Sequence, residues 1–222
     1  MRILTLIFFL FLFSGVLISQ DASSDFKAVN MVYAGQEFFG IRMNTFVFNQ
    51  QGVADKLILT GVTGKFKDSY YSNIKGKEFI ISDGVQIVVD ESSKVMICQK
   101  VAMSDSLGTQ MLSVDAAIER YDSVRFKGVN NEIKKYVIYN SKSQYPVIEV
   151  LINANNFTLK EMILHLPDGS SSSIDYGTSK LRVTYVNEKL EKSLFQIRHF
   201  VQGSYGAYLP SKNYQGFQIL YR

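Results

Sequence analysis

The chain opens on one long apolar block and then breaks into short runs of alternating character. Residues 3–18 are Leu, Ile, Phe and Val, interrupted only by Thr5, Ser14 and Gly15, with Arg2 ahead of them and Ser19, Gln20 and Asp21 behind. A basic end, an apolar stretch shorter than the about 20 residues a bilayer core needs, and a small residue at the polar boundary form the layout of a secretory signal peptide. Residues 1–20 are therefore expected to be removed beside Ser19 or Gln20, leaving 21–222 as the mature chain. No cysteine lies at that boundary, so the mature protein is expected to be free and not lipid-anchored.

Two stretches carry helical spacing. Residues 23–35 place Phe26, Val29, Val32 and Tyr33 on one stripe, with Ser23 or Ser24 as cap and Gly35 as stop. Residues 113–122 are shorter, with Val114, Ala117, Ile118 and Tyr121 on one face and Ser113 as cap. The remainder reads as about a dozen short strands punctuated by turns. Residues 38–48 and 56–67 come first; 78–82 and 86–89 are joined through Asp83-Gly84, a strong hairpin dipeptide. Residues 95–101, 123–127, 132–139, 147–152, 159–166, 174–176, 180–186, 194–201 and 217–221 continue the series. In 147–152 Ile148, Val150 and Ile152 share a side opposite Glu149, and in 159–166 Met162, Leu164 and Leu166 oppose Glu161 and His165. One face buried and one wet is the signature of a curved antiparallel sheet. No linker and no repeat divides the mature chain, so 21–222 is expected to be a single domain. Residues 203–222 form an aromatic C-terminal extension carrying Tyr205, Tyr208, Tyr214, Phe217 and Tyr221, expected to pack back on the body.

Composition supplies a core without staples. Hydrophobic residues make up 46% of the chain and there is a single cysteine, Cys98, which excludes an internal disulfide and reads as a small buried hydrophobe. The formal charge is +4, one unit less once Arg2 is gone, with no dense basic block. Nucleic acid is thus not an expected partner.

The chemical inventory is thin. His165 reads as solvent-facing, and His199 shares a row with Phe195, Ile197 and Val201 as a core or cavity-lining imidazole. The two histidines have no metal-ligand spacing, and no G-x-S-x-G, H-E-x-x-H, C-x-x-C or P-loop occurs. The expectation is no enzyme, no cofactor and no metal. What stands out is soft apolar bulk: 16 Phe, 13 Tyr, no Trp, and methionines spread through the predicted strands and helices. Such side chains repack around variable hydrocarbon.

Several segments, taken in order, resemble the periplasmic outer-membrane lipoprotein carrier (LolA-like) family. Residues 78–97 resemble its strand, Asp-Gly turn, strand, Asp-containing turn and strand. Residues 159–164, the Pro167-Asp168-Gly169 turn, 181–188 and 193–197 resemble its closing strands. One departure stands out. The family carries an Arg-aromatic pair before the Asp-Gly hairpin, whose arginine helps hold the lid closed; here 68–72 contain no arginine. Arg42 or Arg120 would be the substitute for it.

The resemblance implies a mainly β fold with few helices, an antiparallel half-open β-barrel covered by an N-terminal helix and a short lid helix. It implies a periplasmic, monomeric carrier of acyl chains or lipoproteins, holding them in an apolar cavity for transfer between envelope membranes. The expected lining is Phe26, Val29, Ile41, Met43, Val47, Leu57, Leu59, Ile148, Val150, Met162 and Leu164. The alternative is a non-enzymatic accessory or structural subunit of an envelope membrane protein complex built on the same scaffold.

Overall fold

The computed structural model describes residues 22–48, 54–101, 121–167 and 180–222. The first helix, α1 (Ala22–Ala34), buries Phe26, Val29 and Tyr33. It ends where the Gly35 N–H donates to the Met31 carbonyl at 2.9 Å. Strands β1 (Phe38–Phe48), β2 (Ala54–Phe66), β3 (Ser69–Ile74), β4 (Lys77–Ser82), β5 (Val85–Asp90) and β6 (Val95–Lys100) follow as a meander. Then come β7 (Ser123–Asn130), β8 (Ile133–Tyr139), β9 (Val147–Asn153), β10 (Leu159–His165) and β11 (Lys180–Asn187).

The C-terminal stretch holds a 3-10 turn (Lys192–Phe195), a short helix α2 (Ile197–Phe200), a two-stranded ribbon of β12 (Val201–Gln202) and β13 (Leu209–Pro210), a second 3-10 turn (Lys212–Tyr214), and β14 (Gln218–Tyr221).

Twelve strands form one sheet in the order β14-β6-β5-β4-β3-β2-β1-β11-β10-β9-β8-β7, antiparallel throughout except for the β14–β6 pair. The sheet is curved and does not close. The half-open barrel with an N-terminal helix is therefore the architecture present. Residues 113–120, most of the expected lid helix, lie outside the described residues, as does the expected strand at 174–176. Two other expectations need correction. Residues 69–74 form a strand that their polar composition hid; it is framed by left-handed residues at Lys67 and at Lys75-Gly76. Residues 194–201 are not a strand. Phe195, Phe200 and Val201 all turn into one core, and a chain wound into short helical turns delivers them there, whereas an extended one would alternate them outward.

Residues opposite one another in a ladder share a face, so the register assigns every side chain to one of two surfaces. The helix face carries Phe39, Ile41 and Met43 of β1, Tyr185 of β11, Met162 and Leu164 of β10, Ile148 and Val150 of β9, and Tyr136 and Ile138 of β8. α1 packs there, and Phe26, Val29 and Tyr33 complete that core. The cap face carries Phe38, Val62, Phe66, Tyr71, Ile80, Ile87 and Cys98. The C-terminal stretch covers it with Phe195, Phe200, Val201 and Tyr214. The two covers thus lie on opposite faces, over different halves of one sheet, and β1 belongs to both.

The crossing from one face to the other needs glycine. Gly40 and Gly64 stand opposite each other on the cap face. A Cβ at Gly40 would lie 2.3 Å from the Glu188 carbonyl oxygen, and one at Gly64 would lie 2.6 Å from the Leu190 side chain. The bare backbone lets the chain leaving β11 pass directly over β1 and β2, where the Glu188 N–H donates to the Gly40 carbonyl at 2.8 Å.

Candidate functional site

Two buried polar clusters fix the covers. On the helix face, the Lys134 ammonium donates to both carboxylate oxygens of Asp25 at 2.8 and 2.9 Å, and the Tyr136 hydroxyl donates to the same carboxylate. Asp25 and Lys134 are nearly inaccessible to solvent. This ion pair ties the first turn of α1 to β8. On the cap face, the buried Glu78 carboxylate accepts from Tyr71 at 2.6 Å and Tyr214 at 2.7 Å. Burial raises both phenol pKa values, and the adjacent Glu78 adds to it. Both therefore remain donors at neutral pH.

The candidate binding surface lies on the helix face. A cleft of about 430 Å³ opens at the C-terminal end of α1, against Phe39, Gly40, Ile41 and Asn187. A second, of about 330 Å³, shares Tyr33, Ile41, Thr158 and Asn187 with it and reaches Leu159 and Tyr185. Apolar Phe38, Phe39, Ile41 and Leu159 are joined there by the hydroxyls of Tyr33, Thr158 and Tyr185, the amides of Gln36 and Asn187, and the charged Lys160, Glu188 and Lys189. Tyr33 accepts from the Leu159 N–H at 3.1 Å, and Tyr185 donates to the Met162 Sδ at 3.0 Å. Burial pushes both phenols up, so neither serves as a base.

From this cleft one cross-strand row runs from β11 across eight of the twelve strands to the β14 edge. Asn187 pairs with Ile41, Ile41 with Thr63, Thr63 with Ser72, Ser72 with Phe79, Phe79 with Val88, Val88 with Ile97, and Ile97 with Leu220. At the usual spacing between strands the row is roughly 30 Å long. Its far half is wholly apolar. Phe79, Val88 and Ile97 belong to neither core, and Leu220 is 42% exposed. Among the described residues, the cores that cover β4 to β6 lie on the other face.

The expected lining residues divide. Phe26, Val29, Ile41, Ile148 and Val150 sit inside the core beneath α1, with Met43, Met162 and Leu164 packed against it. Phe26 is 0% and Val29 2% exposed, so a ligand reaches them only if α1 shifts. Val47 is buried further along β1, opposite Leu181, and Leu59 is half-buried beside Thr45. Leu57 parts from the group. A bulge in β2 after the Thr45–Leu59 pair sends it to the cap face, where it is exposed.

Sequence reading did not find Phe79, Val88, Ile97 and Leu220. The available signal was the adjacent apolar pairs Phe79-Ile80, Ile87-Val88 and Met96-Ile97, which make β4 to β6 apolar on both sides.

Other residues are placed as follows. His165 is only about a quarter exposed and bonds Glu149 at 2.9 Å, so it is a cross-strand partner and not a free surface imidazole. His199 stands edge-on to Phe200 and Tyr214 beside an open cleft. Arg42 is taken by Glu188 through two 2.8 Å bonds on the cap face, away from α1; Arg120 lies outside the described residues. Cys98 is buried, with its pKa raised to about 11 by that burial. Among the described residues no group of three or more His, Cys, Asp or Glu is placed to hold a metal, and no helix is long and apolar enough to cross a membrane.

No protein-family model matches the chain, and no curated protein matches it. Among solved structures it is similar to an uncharacterised conserved protein from Thermus thermophilus, with 9% identity, 91% of this chain and 100% of that one covered, and a TM-score of 0.49. It is similar to a LolA superfamily protein from Nitrosomonas europaea (12% identity, 81% and 99% covered, TM-score 0.35). It is also similar to the Mycobacterium tuberculosis lipoprotein LppX (11% identity, 76% and 96% covered, TM-score 0.41). At such distances the likenesses say nothing of activity; what the chain can do is set by its own geometry.

Proposed function

We propose that the protein is a carrier of the bacterial envelope that shields acyl chains, free or borne on lipoproteins, against the helix face of its sheet during transfer between membranes. The observation that supports this is the apolar row from Phe79 to Leu220. It lies in the same cross-strand row as Ile41 of the cleft at the end of α1, beyond Thr63 and Ser72, and on the face whose other half α1 covers. Each exposed methylene costs about 0.8 kcal/mol in water, so a chain of about sixteen carbons needs a shield worth on the order of 10 kcal/mol to cross an aqueous compartment. A strand row of Phe, Val, Ile and Leu supplies such contact, and the polar groups of the cleft, Lys160 and Lys189 among them, suit the polar end of the ligand.

Delipidated protein should bind a fluorescent fatty-acyl probe saturably, at about one per molecule. Val88→Glu with Ile97→Glu should abolish that binding while circular dichroism retains the sheet, because neither side chain belongs to a core. Absence of saturable binding, or unchanged binding by the double variant, contradicts the reading.

A second reading, an accessory subunit of an envelope complex, draws on Leu209, 68% exposed next to the mutually packed rings of Tyr205, Tyr208 and Tyr221. Purification from native membranes should then recover a fixed partner that Leu209→Glu loses. Deleting 203–222 is the poorer test, since it also removes Tyr214 from the core.

A further inference from the structure

The C-terminal cover has an outer surface as well as an inner one. Phe200, Val201 and Tyr214 point into the core, while the same turns form an open cleft of about 390 Å³ on their outer side. Its lining is polar throughout. Arg198 and Lys212 bring the cationic groups, His199 an imidazole, Ser193 and Ser211 hydroxyls, and Gln196, Gln202 and Asn213 amides; no carboxylate lines it, the Glu191 carboxylate standing behind Ser193, whose hydroxyl donates to it at 3.3 Å.

The walls are tied together. Ser211 donates its hydroxyl to the His199 carbonyl at 2.6 Å and its N–H to the Phe200 carbonyl at 2.9 Å, joining the α2 side to the 3-10 turn at Lys212. The His199 ring is oriented by edge contacts with Phe200, 5.0 Å away, and Tyr214, 6.1 Å away. The Arg198 Nε donates to the Gln196 Oε1 at 2.6 Å, which orients the guanidinium and leaves its terminal nitrogens for another partner. Among the described residues, neither Arg198 nor Lys212 has an ion-pair partner.

We propose that this cleft binds a phosphate group carried on a small hydroxylated molecule. An oriented guanidinium, an ammonium and an imidazole lining one cleft, neither cation paired with an acid, favour a compact anion, and guanidinium matches the geometry of phosphate oxygens. The amides of Gln196, Gln202 and Asn213 donate and accept, the pairing that hydroxyl groups require. The ligand is either a free sugar or polyol phosphate or the head group of a phosphoglycerol lipid. In the second case the cover is also the surface by which the protein meets a membrane. The cleft belongs to the cover of the cap face and the apolar row lies on the helix face, so the proposal stands independently of the acyl-carrier reading.

Calorimetric titration of the full chain with inorganic phosphate, glycerol 3-phosphate, and vesicles of phosphatidylcholine with and without phosphatidylglycerol tests it. Glycerol 3-phosphate, the phosphatidylglycerol vesicles, or both should bind saturably, and glycerol 3-phosphate, where it binds, more tightly than inorganic phosphate. Arg198→Gln and Lys212→Gln should each weaken binding by about tenfold, the loss expected of one charge-assisted hydrogen bond. Added salt should weaken it further. Both side chains are exposed, so the variants should keep the wild-type melting temperature, and Asn213→Asp should weaken binding by placing a carboxylate in the lining. Glycerol 3-phosphate binding alone identifies a free ligand, and vesicle binding that requires phosphatidylglycerol identifies a lipid head group; either supports the site. No saturable binding of any probe, inorganic phosphate bound as tightly as glycerol 3-phosphate, or binding indifferent to Arg198→Gln and Lys212→Gln overturns it. Val88→Glu with Ile97→Glu should leave phosphate binding unchanged.

Discussion

The two halves of the sheet solve the problem of burial differently. From β7 to β11 the strands have one apolar face, under α1, and an outer face furnished with ion pairs. On that outer face Arg182 meets Glu161 at 2.7 Å, and Glu149 takes Lys135 and His165. From β4 to β6 the strands are apolar on both faces, yet the C-terminal cover serves only the cap face. A half with matched faces is complete once α1 has docked. Among the described residues the other half keeps apolar surface beyond what its own cover needs, and that residual apolar area is what the proposed acyl chain would cover.

The comparison can be broken most forcefully in the cores. Phe26→Ala beneath α1 and Phe200→Ala beneath the C-terminal cover should each cost about 3–5 kcal/mol in denaturant unfolding, since both rings are fully buried. A loss below about 1 kcal/mol in either would mean that cover is not a true core.

Of similar or slightly smaller size is the effect of the ion pair. Lys134→Met should cost about 3–5 kcal/mol, because it strands the Asp25 carboxylate in a buried site. Adding Asp25→Leu should recover much of that loss. A double variant as unstable as the sum of the singles would contradict an ion pair whose members depend on each other.

On the other half, Tyr214→Phe removes one of two donors to Glu78 and should cost about 1–3 kcal/mol. The Tyr71 donor remains, so a complete loss of folding is not expected.

The smallest effect is that of acid. Asp90 is held down to about 2 from 3.8, chiefly by the Ser92 hydroxyl, and the Glu149 carboxyl is also lowered. Burial acts to raise Glu149, and the bonds from Lys135 and His165 outweigh it. A carboxyl with a lowered folded pKa contributes stability above its ordinary value, and that contribution disappears as pH falls through the folded one. Chemical unfolding should therefore show stability declining from near pH 4 toward 2, with a smaller decline in Asp90→Asn.

Much of this was legible in the chain. The stripe of Phe26, Val29 and Tyr33, the Asp83-Gly84 hairpin and the alternation in β9 and β10 come from local periodicity, and local periodicity survives folding. β3 was hidden because Ser69, Ser72 and Asn73 carry no apolar alternation; its place is fixed by pairing on both sides. The cover at 194–201 resembled a strand because Phe195, Ile197 and Val201 alternate, and only the third dimension shows that they converge. The expected lining was drawn from the most regular strands, and those are the strands α1 already satisfies. The apolar row on β4 to β6 was written as neighbouring apolar pairs. Deciding which member of each pair the cover buries requires knowing the face on which it lands, and Gly40 and Gly64 let the chain cross to that face.

The account turns on where an acyl tail lies. A photoreactive fatty acid, cross-linked to the delipidated protein and mapped by mass spectrometry, should label the strand segments that carry Phe79, Val88, Ile97 and Leu220. Labelling confined to β7–β10 beneath α1, or to the C-terminal cover, would contradict it.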